Sequence, residues 1–225
     1  MTIYFIVIFS MFLAYLIGSV PSSYIFGRVL RNIDIREHGS GNVGATNTFR
    51  VLGKVPGTAV MFLDIFKGVI AVTLLAGVSY QALTVVAGSD AQALPLSQQL
   101  FKIILGLSVI AGHIWTIFLS FKGGKGVAAS TGVLIGLDPI TVSIAIIIFL
   151  VVFLLSKYVS LGSITAAVCL PVLIVVRYSL ANRAVPIPLL IFSMVIAMIV
   201  LYRHKANIGR LLRGEENRVN FKKEK

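Results

Sequence analysis

The chain has 225 residues, 57% hydrophobic and only 12% charged, with a mean hydropathy of +0.96. A soluble domain is nearer half apolar and a quarter charged, and a water-solvated fold of this length would still expose many of these side chains, so a soluble globule is excluded. The net charge of +12, from 20 Lys and Arg against 8 Asp and Glu, is interspersed between apolar runs, which argues for retention on the cytoplasmic side of a membrane rather than for nucleic-acid binding.

In chain order, the first apolar segment, 2–30, holds an almost unbroken run from Ile3 to Val20. That run can cross about 30 Å of hydrocarbon as a helix. It lacks the charged n-region and small-residue cleavage pattern of a secretory signal, so it is expected to be retained. Six more candidate spans follow at 55–78, 100–121, 126–137, 139–156, 158–178 and 186–202. The fourth of the seven, 126–137, is about two-thirds of the usual twenty-residue length. Asp138-Pro139 separates it from the fifth, because proline disfavours helix at the preceding residue. The alternative is a single kinked helix over 126–156, leaving six spans. Between the second and third spans, 79–99 reads as an outer loop, with Gly88, Ser89, Asp90 and Pro95 as turn signals. The one cysteine, Cys169, lies inside an apolar run, so disulfide and zinc sites are excluded on count.

Parity decides the span number. Three polar segments stand out, 31–54, 122–126 and 203–225. With the N-terminus outside, seven spans bring all three to the cytoplasmic face. Six would export a tail carrying Arg203, Lys205, Arg210, Arg213, Arg218, Lys222, Lys223 and Lys225, against the positive-inside tendency. Seven spans leave only Lys102, Arg177 and Arg183 on or near the outer face. The expected fold is therefore an all-α integral membrane protein with seven transmembrane helices, N-terminus outside and C-terminus cytoplasmic. Residues 1–225 form one domain, with the three polar segments at its active site.

The first polar segment contains Ser40-Gly41-Asn42-Val43-Gly44-Ala45-Thr46-Asn47, then Arg50 and Leu52-Gly53-Lys54. Its glycines let backbone amides approach an oxyanion. Thr46 or Asn47 is a candidate cap for a helix facing that anion, and Arg50 supplies a planar fork suited to phosphate. A glycine-rich connector with one snorkelling arginine would look similar. The second segment, Phe121-Lys122-Gly123-Gly124-Lys125-Gly126 at a helix start, reads as an anion nest with Lys125 in it. It is not a nucleotide-binding P-loop, since Leu119 stands where the first glycine belongs and Gly126 where Ser or Thr belongs. A plain basic cytoplasmic turn is the simpler reading of that segment alone. In the third segment, His204 and Asn207 are three apart and share a helix face, suited to holding a polar substrate or moving a proton.

At membrane depth, Asp64 and Lys67 are three apart on the second span, and His113 is on the third. Charges there are costly and often functional, although Asp64 and Lys67 fit an intrahelical ion pair equally well. No Gly-x-Ser-x-Gly elbow, His-Glu-x-x-His motif or acidic cluster for metals occurs. The chemistry suggested is positioning of an already activated substrate among bound anions. A secondary transporter for an organic phosphate is the alternative, but its site belongs near the midplane, often between inverted repeats, and no repeat is visible.

These residues resemble the bacterial acyl-phosphate:glycerol-3-phosphate acyltransferase family. The resemblance is carried by the run from Ser40 to Gly53, by Gly112-His113 through Phe118-Leu119-Ser120-Phe121-Lys122-Gly123-Gly124-Lys125-Gly126-Val127-Ala128, and by Arg203-His204-Lys205-Ala206-Asn207-Ile208 with Arg210-Leu211 and Gly214-Glu215. It covers about residues 15 to 216, departing at Ile114-Trp115-Thr116, where the family commonly has a proline. The resemblance implies seven spans, a cytoplasm-facing site in the bacterial inner membrane, and acyl transfer from acyl-phosphate to the sn-1 hydroxyl of glycerol 3-phosphate. It implies Ser40, Arg50, Lys125, His204 and Asn207 as catalytic residues. Gly41, Asn42, Gly44, Thr46, Asn47, Gly123, Gly124, Gly126 and Ser163 are expected to bind substrate, Gly123 and Gly124 through oxyanion-binding amides. No cofactor, metal or nucleic acid is expected. The expected partners are the two small-molecule substrates and membrane lipids, with the acyl-phosphate synthase as an open protein partner and a monomer as the working unit. The proton acceptor is open between His204 and a substrate phosphate oxygen.

Overall fold

The computed structural model describes residues 1–88, 94 and 96–219. The turn residues Ser89, Asp90 and Pro95, and the basic Lys222, Lys223 and Lys225, lie outside the described residues. Regular structure among the described residues is helical throughout, and it divides into two compact units, Met1–Leu137 and Asp138–Lys225.

The first unit holds α1 (Thr2–Ser19), α2 (Ser22–Arg31), α3 (Ala45–Leu52), α4 (Lys54–Ile70), α5 (Ala76–Ala87), α6 (Gln98–Ile114) and α7 (Val127–Leu137). A π-helical turn at Ala71–Leu75 joins α4 to α5 into one run of 34 residues. The second unit holds α8 (Pro139–Ser156), α9 (Val159–Leu180), α10 (Ile187–Arg203) and α11 (Lys205–Leu212). Among the described residues, five helical runs are long and apolar enough to cross a membrane: Thr2–Arg31, Lys54–Ala87, Gln98–Leu119, Pro139–Ser156 and Val159–Leu180. The α10–α11 pair, bent by 61°, makes a sixth. α7 has 11 residues, about 16 Å of helix, roughly half a bilayer core. α1 and α8 expose Phe5, Phe9, Ile147, Leu150 and Leu155, the surface expected of helices facing lipid.

Two sequence expectations change. The first span is broken at Val20-Pro21, because Pro21 has no amide to continue the ladder. The break takes backbone carbonyls out of the helical ladder, and side chains meet them: Thr116 Oγ1 donates to Ser19 O, and Lys67 Nζ to Val20 O at 3.2 Å. The second change concerns residues 79–87, expected as loop, which are helical to Ala87. Polar Ser79 is buried within the helix and Thr84 Oγ1 donates to the Gln81 carbonyl, so neither residue ends it.

Small residues seat the unit-one helices. A Cβ on Gly132 of α7 would run into the Ile65 carbonyl of α4, and one on Gly68 of α4 into the Ala129 carbonyl. Gly18 of α1 and Gly112 of α6 face the Val109 and Tyr15 carbonyls in the same way. Backbones pack this closely in membranes because dispersion and not water exclusion drives association. Gly132→Leu is therefore expected to force α7 from α4 and destabilise the protein by about 3 kcal/mol or more, since the obstacle is backbone. Thermal unfolding in detergent checks this, and an unchanged midpoint would show that the helices pack otherwise.

Candidate functional site

In the first unit, the segment between α2 and α3 is folded over a small apolar core of Ile35, Val43, Leu52 and Leu119. Asn47 closes it. Its Nδ2 donates to Ile35 O at 3.1 Å and His38 O at 3.0 Å, while its Oδ1 accepts from Ser40 N at 2.8 Å and Ser40 Oγ at 3.2 Å. The helix cap is Gly44, with no side-chain cap bond. This corrects the expected role of Thr46 or Asn47 as N-cap: both lie inside the first turn, and the buried Asn47 amide is spent on the loop. Gly41, at φ +69°, turns the chain where a Cβ would come within 2.9 Å of Arg36 O. Thr48 Oγ1, 2.7 Å from Ser23 Oγ, ties α3 to α2. Ser40, Thr46 and Arg50 are exposed, and Asn42 is half-buried.

Asp34, below this loop, is chelated by Arg36, whose Nη2 donates to Oδ2 at 2.6 Å and whose Nε donates to Oδ1 at 3.0 Å. These bonds outweigh burial and hold the Asp34 carboxyl down at about 2. A carboxyl depressed in the fold stabilises it above the unfolded pKa, and that contribution is lost as pH falls through about 2. Asp34 is therefore expected to titrate near 2, and in Arg36→Ala near its ordinary value of about 4. Carboxyl carbon chemical shifts measure both midpoints; a wild-type midpoint near 4 would show that the chelate is not formed.

The 122–126 segment meets the first loop. A Cβ on Gly124 would run into His113 Nε2 and lie 2.7 Å from Val43 O. Gly123 N donates to Ile114 O and Gly124 N to His113 O, each at 3.0 Å. This corrects the expected oxyanion role of those two amides: both are committed to the end of α6. Gly126, at φ +88°, leads into α7, and Lys125 is half-buried beside it. The unit thus brings both glycine segments together at Val43 and Gly124.

In the second unit, α10 ends at Arg203, and His204 takes the cap position of α11. His204 is buried, with Nδ1 2.8 Å from Val200 O. A carbonyl only accepts, so Nδ1 is the donor in this bond. Asn207 Nδ2 donates to Glu216 Oε1 at 2.7 Å, Ser160 Oγ to the same oxygen at 3.0 Å, and Arg210 Nε to Oε2 at 2.7 Å. Burial raises the Glu216 pKa, but the bonds from Asn207, Arg210 and Ser160 bring it below the ordinary value. Val219 N donates to Lys157 O, so the tail lies back along the start of α9. Ser163, one turn beyond Ser160, is buried and donates to Val159 O at 2.9 Å. Glu216 and Ser160 escaped the sequence reading; an acidic residue among so many basic ones in the tail was the available signal.

Comparison with known proteins bears on this arrangement. A family model described as "Glycerol-3-phosphate acyltransferase" matches residues 8–214. The glycerol-3-phosphate acyltransferase of Chlorobium phaeobacteroides strain BS1 is 42% identical over 227 residues, covering 92% of this chain and 94% of the relative. That of Chlorobaculum tepidum is 42% identical over 224 residues, with the same coverage of 92% and 94%. The crystal structure of PlsY (YgiH), an integral membrane glycerol 3-phosphate acyltransferase, superposes in its glycerol 3-phosphate form with TM-score 0.79 at 34% identity, over 95% of this chain and 96% of that one. Its lysophosphatidic acid form superposes with TM-score 0.77 over 95% of each chain.

Proposed function

Because the chain belongs to the glycerol-3-phosphate acyltransferase family, we propose that it moves a fatty acyl group from an acyl-phosphate to the sn-1 hydroxyl of glycerol 3-phosphate. The observation that carries this reading is the family match over residues 8–214, which takes in the first two basic motifs and the third as far as Gly214. The family is one of enzymes, which sets the transporter alternative aside.

The hydroxyl oxygen attacks the acyl carbon, the bond from that carbon to the phosphate oxygen breaks, and the electron pair leaves on phosphate. The hydroxyl proton passes to His204 Nε2 or to a phosphate oxygen of a substrate. Lysophosphatidic acid and inorganic phosphate result. An acyl-phosphate is a mixed anhydride with a good leaving group, so no acyl-enzyme is needed and positioning is the main contribution. Both substrates are anions; Arg50 and Lys125 offset their repulsion, and the Ser40 hydroxyl hydrogen-bonds the leaving phosphate. Asn207, oriented by Glu216, and His204 hold glycerol 3-phosphate. The acyl chain stays among the apolar helices. This is why a soluble metabolite is acylated within a membrane.

On this reading the chain crosses the bacterial inner membrane seven times, α7 being the short fourth crossing. Its N-terminus is outside, its basic tail is cytoplasmic, and it works as one domain whose site faces the cytoplasm. Purified protein given palmitoyl-phosphate and glycerol 3-phosphate is expected to form equal amounts of phosphate and 1-acyl product, with no mass added to the protein. Acylated Ser40 would overturn direct transfer, and no product at any substrate level would sink the enzyme reading.

A further inference from the structure

Asp64, Lys67 and His113 are all buried in the first unit, and the acyl-transfer steps use none of them. Charges at membrane depth persist where they are paired or have a task. Lys67 Nζ lies 2.8 Å from Asp64 Oδ1, and Ser22 Oγ donates to the same oxygen at 3.2 Å. Lys67 also donates to the carbonyl of Val20, at the break before Pro21. This much is a satisfied ion pair. His113 goes further, because its Nδ1 stands 3.8 Å from Asp64 Oδ1 while its Nε2 abuts Gly124, whose amide donates to the His113 carbonyl. The imidazole is thus wedged between the carboxylate and the segment that carries Lys125. The cavity beside it, lined by Ser19, Asp64, His113, Thr116 and Gly123, is only about 10 Å³. That is about the room one water needs, too small for a phosphate-bearing substrate.

We propose that Asp64, Lys67 and His113 are positioning residues for the reaction. The ion pair fixes the imidazole, the imidazole and the His113 backbone carbonyl fix Gly124, and Gly124 fixes the adjoining Lys125. The cavity beside the cluster has room for little more than one water, so the cluster acts through the loop. This inference rests on Lys125 serving the acyl-transfer site.

A double-mutant cycle tests it. Lys125→Ala is expected to lower kcat/KM by about 100-fold. Asp64→Asn, equal in size but uncharged, is expected to lower kcat by about 10-fold with KM changed less than about 2-fold, as loss of positioning does. In the Lys125→Ala background the same change is expected to cost less than about 2-fold, because the group it positions is gone. The same 10-fold cost in both backgrounds, or no cost in either, overturns the proposal. If Lys125→Ala alone turns over like wild type, the placing of Lys125 in the site fails with it, whereas additive losses sink only the positioning role. Should Asp64→Asn fail to fold, His113→Gln completes the same cycle with the same expected non-additivity.

Discussion

Arg50→Ala is expected to lower turnover by about 10³-fold or more, the scale on which arginines stabilise phosphoryl charge. Arg50 is exposed on the last turn of α3, whose position other residues secure. Thr48 is bonded to the Ser23 hydroxyl, and Phe49 is packed so tightly on Gly57 that a Cβ there would strike its ring. Removing an exposed side chain from a helix held in this way changes stability by about 0.5 kcal/mol at most. The loss is therefore expected in kcat/KM with the unfolding temperature kept. Arg50→Lys is expected to recover only part of the rate, because an ammonium lacks the planar fork that matches phosphate. Turnover of Arg50→Ala equal to wild type would remove Arg50 from the site.

The second large effect is expected at Glu216. Its carboxylate collects Asn207, Ser160 and Arg210, and it is the point at which the tail is fastened to α9 and α11. Glu216→Ala takes one acceptor from the buried Asn207 amide and Ser160 hydroxyl and from the Arg210 guanidinium, and hydrogen bonds to charged groups are worth about 1.5–3 kcal/mol each, not additively. A destabilisation of about 3 kcal/mol is expected, together with loss of activity through the misplaced Asn207. Glu216→Gln, which keeps the shape and loses the charge, is expected to fall between. The carboxyl is depressed in the fold, so this stabilisation is present above the unfolded pKa and is lost as pH falls through the lower folded value. Unfolding midpoints of the three proteins at neutral pH decide the matter; a Glu216→Ala protein as stable as wild type would show that the tail is not held there.

Much of this could be read from the residues because hydrophobic runs are a strong signal and lipid permits few folds. The runs at 139–156 and 158–178 fall almost on α8 and α9, and of the two readings open for Asp64 and Lys67 the structure forms the intrahelical ion pair. What escaped the reading depends on contacts between distant segments. Composition shows neither that Lys67 reaches the Val20 carbonyl at the helix break nor that His113 reaches Asp64 from another helix. The amides of Gly123 and Gly124 looked available for an oxyanion because glycine leaves amides accessible, but the end of α6 claims them. Asn47 looked like a cap because Asn favours that position, but closing the loop makes four hydrogen bonds where a cap makes one or two. Glu216 is nine residues from Asn207 and 56 from Ser160, beyond any periodic pattern.

The central claim is that the acyl group passes directly from an acyl-phosphate to the hydroxyl of glycerol 3-phosphate. Its most direct measurement is donor choice by the purified protein with glycerol 3-phosphate, offered palmitoyl-phosphate, palmitoyl-CoA or palmitoyl-acyl carrier protein in separate reactions. The account predicts lysophosphatidic acid and equimolar inorganic phosphate from palmitoyl-phosphate alone. Product from either thioester at a comparable rate would contradict it.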